Sequence, residues 1–357
     1  MEYRPLGRSG LMVSRLVLGT LTFGGKAGFE KLGNTGPDEA RRMIDTAREA
    51  GVNMIDTADL YSMGGAEEVV GEALSSARGG WPEDMLIASK ARFPMGDGPN
   101  AGGASRYHLL REVERSLKRL GRDHIDLYYM HQWDGVTPIE ETMAAIDTMI
   151  EHGKIRYAGL SNYNGWQTMK ALSAAERTRH RPVAQQVYYT PEAREAEYEL
   201  LPVGLDQGLG TMIWSPLGEG LLSGTLRRGQ KLEGEHRQNN GWPEPWVRDR
   251  ERLYDIIDCL VEVGEAHGVS AARVCLAWLL TRPGVTGLVI GARNEEHLTD
   301  NLAAVDLTLS EEEIARIEKL GRPMPIYPYW HRAMNGTDRP EPADEAFMQG
   351  HRETMGL

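Results

Sequence analysis

The sequence predicts an α/β fold, a single (β/α)8 barrel of the TIM type over residues 1–320 with a tail over 321–357. Three observations carry this. Eight short apolar runs recur along the chain with amphipathic stretches between them, and strands that alternate with helices pair in parallel. The turn after the first run, Gly19-Thr20-Leu21-Thr22-Phe23-Gly24-Gly25, does not match the Gly-x-Gly-x-x-Gly of doubly wound dinucleotide-binding sheets. A length of 357 residues suits one barrel with insertions, although by itself it would permit two average domains.

The strands fall, in order, at 15–18, 53–56, 86–89, 125–130, 157–161, 183–187, 211–214 and 287–290. Between them lie segments of helical period. The clearest carry Leu110, Val113, Leu117 and Leu120 on one stripe and Met143, Ile146, Met149 and Ile150 on another. Three stretches break the rhythm: a glycine-rich loop at 21–37, a Gly- and Pro-containing loop at 217–247, and the tail. Long loops at the C-terminal face of a barrel shape its site. The tail, polar beyond Met334 and punctuated by Pro340 and Pro342, is expected to be partly packed near that rim and partly disordered. Gly79-Gly80 and Asp97-Gly98-Pro99-Asn100 read as plain turns.

Composition narrows the function classes. The formal charge is −12, from 52 acidic against 40 basic residues, and no basic block stands out, so a general role on nucleic acid or anionic membrane has no electrostatic support. The start, Met1-Glu2-Tyr3-Arg4-Pro5, lacks an apolar signal core, and the longest apolar run, 274–280, is far too short to span a bilayer. Cys259 and Cys275 fit neither a zinc framework nor a disulfide scaffold. The expectation is a cytoplasmic, metal-free protein that handles a small molecule.

In a barrel the loops leaving the strand ends converge on one rim, so residues distant in sequence share a pocket. Asp56, Lys90 and His131 stand at or just past the ends of predicted strands, and Tyr61 follows Asp56 by five. A Tyr, a Lys, an Asp and a His make a complete proton-donating set. Singly, each has an ordinary structural role: a packed Tyr with a wet hydroxyl, a solvated Lys, a satisfied His.

The stretch Gly51-Val52-Asn53-Met54-Ile55-Asp56-Thr57-Ala58-Asp59-Leu60-Tyr61, followed by Ala66-Glu67-Glu68-Val69-Val70-Gly71-Glu72-Ala73-Leu74, closely resembles the aldo-keto reductases. So do Gly153-Lys154-Ile155-Arg156-Tyr157-Ala158-Gly159-Leu160-Ser161-Asn162 and Trp214-Ser215-Pro216-Leu217. The resemblance runs from about residue 3 to about residue 320, and Gln185-Gln186-Val187-Tyr188-Tyr189 and Gly291-Ala292-Arg293-Asn294 place it in the bacterial and channel-β-subunit-like branch.

That resemblance implies an N-terminal β-hairpin and a role for each rim residue. Tyr61 is the general acid that protonates the alkoxide forming at a reduced carbonyl, and a phenol of pKa about 10 needs help to do so. Lys90 is the cation against its oxygen, Asp56 the carboxylate that keeps the desolvated ammonium charged and aimed, and His131 the partner that orients the carbonyl. The implied cofactor is NADP(H). Its nicotinamide side meets Gly19, Thr20, Asp56, Ser161, Asn162 and Gln186, the last two suited to a carboxamide, with Trp214 stacked on the ring. Ser215, Leu217, Gly218 and Leu222 follow the pyrophosphate through backbone N–H groups. Gly291 and Arg293 lead into a helix whose N-terminus attracts phosphate, and Arg293 is placed to pair with a 2′-phosphate. Glu296, His297 and Asn301 match ribose or adenine contacts, with His297 standing where glutamine is common in related sequences. From their place on the loops rather than from the resemblance, Phe23 and Trp133 join Tyr61 and His131 as expected substrate contacts, with Tyr327, Tyr329 and Trp330 of the tail as further candidates, the alternative for these aromatics being to cap exposed barrel edges.

The expected activity is the reversible, NADPH-dependent reduction of an aldehyde or ketone. A second reading is a cofactor-binding, redox-sensing regulatory subunit with slow turnover, since channel-associated β subunits share the fold and site. A start close to the hairpin and the lack of an acidic docking feature favour the enzyme. Neither the substrate nor the oligomeric state is written in the sequence.

Overall fold

The computed structural model of the chain describes residues 1–230 and 245–357, so that 231–244, within the expected loop 217–247, lies outside the described residues. An antiparallel hairpin, β1 (Tyr3–Pro5) and β2 (Met12–Ser14), precedes eight parallel strands: β3 (Leu16–Gly19), β4 (Met54–Asp56), β5 (Leu86–Ala91), β6 (Ile125–Met130), β7 (Ile155–Ser161), β8 (Ala184–Tyr188), β9 (Gly210–Trp214) and β10 (Val285–Ile290). They close into a barrel in which β10 pairs with both β9 and β3. All eight match the expected strands, with ends shifted by at most two residues. The crossovers carry α1 (Pro37–Glu49), α2 (Gly65–Ala73), α3 (Arg106–Leu120), α4 (Ile139–Glu151), α5 (Gly165–Ala175), α6 (Leu200–Gln207), and the pair α7 (Arg250–His267) and α8 (Ala271–Leu280). After β10 come α9 (Glu295–Leu302), α10 (Glu311–Gly321), α11 (Tyr329–Asn335) and α12 (Pro342–Met355).

Alternation along each strand divides the barrel into two environments. One set of positions, including Val17, Met54, Ala88, Leu127, Ala184 and Met212, forms an apolar cluster inside the barrel, closed below by Leu6 and Val13 of the hairpin region. Two residues farther along the same faces come Asp56, Lys90 and Gln186. The period that builds the apolar layer therefore also sets a polar layer above it, at the C-terminal mouth.

The outward positions meet the helices. α1 buries Ala40, Met43, Ile44 and Ala47, the spacing of one helical face. On α3 the buried stripe runs through Leu109, Val113, Leu117 and Leu120, with Leu110 only partly covered. The shift from the expected stripe has a polar cause: His108, Glu112 and Ser116 are buried too. Arg119 joins Glu112 at 2.7 Å to Glu67 of α2 at 2.6 Å, and Glu67 accepts a 2.6 Å bond from the Ser89 hydroxyl.

The tail is helical where partial disorder is expected. Ala343, Phe347 and His351 of α12 are buried at a helical spacing, and α12 packs on α6. The Tyr329 hydroxyl donates to the Tyr198 carbonyl and the Tyr198 hydroxyl to the Met324 carbonyl, each at 2.5 Å. Cys259 and Cys275 are free and buried. Among the described residues no helix is long and apolar enough to cross a membrane.

The barrel interior has little slack at Gly159 of β7, where an added Cβ would lie 2.4 Å from the Tyr129 ring. Gly159→Ala should cost about 1–3 kcal/mol of stability by overpacking, read from denaturant unfolding. Unchanged stability would show that Tyr129 has room to move.

Candidate active site

Lys90 is fully buried, and its ammonium has three N–H donors to place. They reach Asp56 Oδ1 at 2.5 Å, the Thr57 carbonyl at 2.8 Å and the Tyr61 hydroxyl at 3.3 Å. The second carboxylate oxygen of Asp56 accepts from Gln186 Nε2 at 2.8 Å, and its backbone carbonyl accepts from the Thr20 N–H and hydroxyl. Burial is the largest influence on the lysine and pushes its pKa down. The charge of Asp56 leads the influences that outweigh it, and the net shift is up from 10.5. The ammonium therefore stays charged at neutral pH.

Local backbone brings Tyr61 back over this group. The segment after β4 continues beside β5, with Thr57 N–H bonded to the Ala88 carbonyl at 2.9 Å and Asp59 N–H to the Lys90 carbonyl at 3.1 Å. The chain then turns through left-handed Ser62 and Met63, φ 51° and 50°, a turn held by a 2.9 Å bond from the Ser62 hydroxyl to the Phe23 carbonyl. The Tyr61 ring ends with its centroid 4.9 Å from Lys90 Nζ.

His131 follows β6, its N–H on the Ala91 carbonyl at 3.0 Å. Its ring meets Tyr61 edge-on at 5.8 Å and Phe93 at 5.0 Å. Burial, then the charges of Lys90 and Arg92, hold its pKa well below 6.5, so the imidazole is neutral. Asn162, left-handed at φ 56°, ties the rim together: its Nδ2 donates to the His131 carbonyl and its Oδ1 accepts from Trp214 Nε1, both at 3.0 Å.

A cavity of about 410 Å³ opens from this cluster, between the ends of β3, β9 and β10, the loop after β9, and α8 and α9. Of the expected residues, Gly19, Thr20, Asp56, Tyr61, Trp214, Ser215, Leu217, Gly291, Arg293, His297 and Asn301 line it. Ser161, Asn162, Gln186, Gly218, Leu222, Glu296, His131, Phe23 and Trp133 are not on its wall, and neither are Tyr327, Tyr329 and Trp330.

Gln186 has one amide N–H on Asp56, and Asn162 places its amide between the His131 carbonyl and Trp214 Nε1, which leaves each a second N–H for a carboxamide. Several of the others depart from their expected parts for a physical reason. The N–H groups of Gly218 and Leu222 already donate to the carbonyls of Ser215 and Leu217, and those of Glu219, Gly220 and Leu221 are likewise spent inside the loop. Phe23 is fully buried in the main core rather than facing a substrate. Trp133 packs against Tyr163 and Trp166 at 5.3 and 5.5 Å. Asn301 holds the Gly291 carbonyl at 3.1 Å.

Sequence reasoning missed Phe93, which packs on the His131 ring, and the wall residues Glu219, Ser223, Thr225 and Ser270. The first follows Lys90 by only three positions, a cue within reach. The others sit in or beyond a loop with no motif of its own. Among the described residues no cluster of His, Cys, Asp and Glu is arranged to hold a metal.

The aldo/keto reductase family model matches residues 15–322. An oxidoreductase of Bacillus subtilis, YrpG, is 38% identical over 333 residues, covering 87% of this chain and 93% of its own. A probable voltage-gated potassium channel subunit beta of rice, Oryza sativa subsp. japonica, is 33% identical over 338 residues, covering 91% and 98%. The L-glyceraldehyde 3-phosphate reductase of Escherichia coli K12 is 31% identical over 328 residues, covering 89% and 92%.

The neutral state of His131 has a pH signature. An imidazole that resists protonation in the fold and accepts it when unfolded contributes fully above 6.5, and that contribution is lost as pH falls below it. Between pH 6.5 and about 5, wild type should lose stability more steeply than His131→Gln, by up to about 1.4 kcal/mol per pH unit in chemical denaturation. Equal slopes would mean that the buried ring takes a proton in place.

Proposed function

Since this chain belongs to the aldo/keto reductase family, we propose that it catalyses the reversible, NADPH-dependent reduction of an aldehyde or ketone, with Tyr61 as the proton donor. Membership supports an oxidoreductase that uses a nicotinamide cofactor on a small carbonyl compound. One observation carries the finer reading: a buried ammonium touches both Asp56 and Tyr61 at the end of a cavity that also reaches Arg293.

The bound cofactor supplies the hydride. Tyr61 gives the proton of its hydroxyl to the carbonyl oxygen as charge develops there, and Lys90 stabilises the phenolate left behind. Asp56 keeps Lys90 charged, and the Gln186 amide keeps Asp56 from turning away. His131, being neutral, serves as a hydrogen-bond donor to the carbonyl without competing as an acid. In the oxidative direction the phenolate takes the alcohol proton. Trp214 presents its ring to the cavity, and Arg293, His297 and the start of α9 offer donors for the adenosine phosphate. The two free, buried cysteines suit a reducing cytoplasm.

The name of the rice relative raises a second role, a cofactor-sensing subunit. The complete set of Asp56, Tyr61, Lys90 and His131 favours turnover, and NADPH oxidation with a panel of carbonyls separates the two: a sensor binds cofactor but reduces very slowly.

Tyr61→Phe should lower kcat by about a hundredfold or more while NADPH binds nearly as in wild type, because the substitution keeps the ring on the cavity wall and removes only the hydroxyl. Near-normal turnover would remove Tyr61 from its role. Arg293→Ala should weaken NADPH about ten- to a hundredfold, the value of a charge-assisted contact of roughly 1.5–3 kcal/mol, and leave NADH nearly unaffected. Equal losses for both cofactors in a fluorescence titration would show that Arg293 does not read the 2′-phosphate.

A further inference from the structure

Arg92 stands at the rim directly after β5, two residues from Lys90. It is half-buried, with its guanidinium carbon 5.3 Å from the Phe93 ring centroid, and Phe93 in turn meets the His131 ring at 5.0 Å. Eight arginines among the described residues have a buried Nε without a hydrogen-bond partner: Arg15, Arg92, Arg111, Arg122, Arg252, Arg273, Arg282 and Arg322. Seven of them place another guanidinium nitrogen on a carboxylate, a carbonyl or a hydroxyl. Arg92 alone of the eight has no such bond among the described residues. Asp134, on the same rim, is no counter-ion for it, because its oxygens are spent on the Ala104 and Val136 N–H groups and the Thr137 hydroxyl.

A guanidinium drawn partly out of water, with its planar fork unused, is built to take an oxyanion. We propose that Arg92 is a specificity-determining residue that anchors an oxyanion on the substrate, so that the preferred substrates are carbonyl compounds bearing a carboxylate or phosphate. The proposal rests on the carbonyl-reducing role given to this site. It places the anionic group beside Phe93 and the reacting carbonyl between Tyr61 and His131. The field at the imidazole fits: the charge of Arg92 already bears on His131, and an anion seated there would offset it.

The test compares meta-carboxybenzaldehyde, meta-formylphenyl phosphate and meta-tolualdehyde with NADPH, in wild type, Arg92→Met and Arg92→Lys. Wild type should favour at least one charged aldehyde over the neutral one by about tenfold or more in kcat/KM, mainly through KM. Arg92→Met should collapse that ratio towards one, and Arg92→Lys should keep part of it. Which charged aldehyde wins identifies the oxyanion. A wild type that prefers neither charged aldehyde, or an Arg92→Met that slows all three alike, overturns the proposal. If no aldehyde turns over although NADPH binds, the reductase reading fails. Arg92 is then judged by calorimetric titration of the NADPH complex with the same compounds, in which tighter binding of a charged one, lost in Arg92→Met, is required.

Discussion

A fully buried ammonium held 2.5 Å from a carboxylate is the interaction on which the rest of the site depends. Neither charge is tolerable alone at that depth, and removing one partner of such a pair costs about 3–5 kcal/mol because the other is left uncompensated. The neighbours are arranged to finish what the pair begins: Thr57 and Tyr61 take the remaining lysine donors, Gln186 takes the free oxygen of Asp56, and Thr20 pins the Asp56 carbonyl. They come from four strand ends or the loops after them: Thr20 from β3, Asp56, Thr57 and Tyr61 from β4, Lys90 from β5 and Gln186 from β8. Closing the barrel is thus what assembles the chemistry, and the parallel register, with Gly19 opposite Asp56 and Ser161 opposite Gln186, fixes the alignment.

The mouth would be unstable without the layer beneath it and the network behind it. Inside, the apolar cluster from Val17 to Val289 holds water away from Lys90 and raises the value of its contacts. Outside, Glu67, Glu112 and Arg119 tie α2 and α3 to β5. Asp59, two residues before Tyr61, is fully buried in that neighbourhood. Burial first, then Glu67 and Glu112, hold its pKa far above 3.8.

Much of this was legible in the sequence because two periodicities write it directly. Alternation over short apolar runs marked all eight strands, and its continuation by two residues put Asp56, Lys90 and Gln186 on the inner face. Side-chain partnering was less legible. Asn162 and Gln186 have the right chemistry for a carboxamide, and that they also tie the rim to Trp214, His131 and Asp56 is visible only in three dimensions. Just after β9, where the resemblance implies a pyrophosphate contact, the turns already use the N–H groups of Gly218, Glu219, Gly220, Leu221 and Leu222. Phe23 looked like a pocket aromatic from its place after a strand and proved to be core, because the glycine-rich turn folds it inward. The tail reads as polar and proline-punctuated, while the spacing of Ala343, Phe347 and His351 gives one narrow buried face.

The charge of Lys90 is the point on which the chemistry turns, and nitrogen-15 NMR of protein labelled at the lysine side-chain nitrogen reads it directly. The Lys90 resonance should keep an ammonium shift beyond pH 10.5 in wild type and titrate at lower pH in Asp56→Asn. A neutral amine at Lys90 near pH 7 in wild type would contradict it.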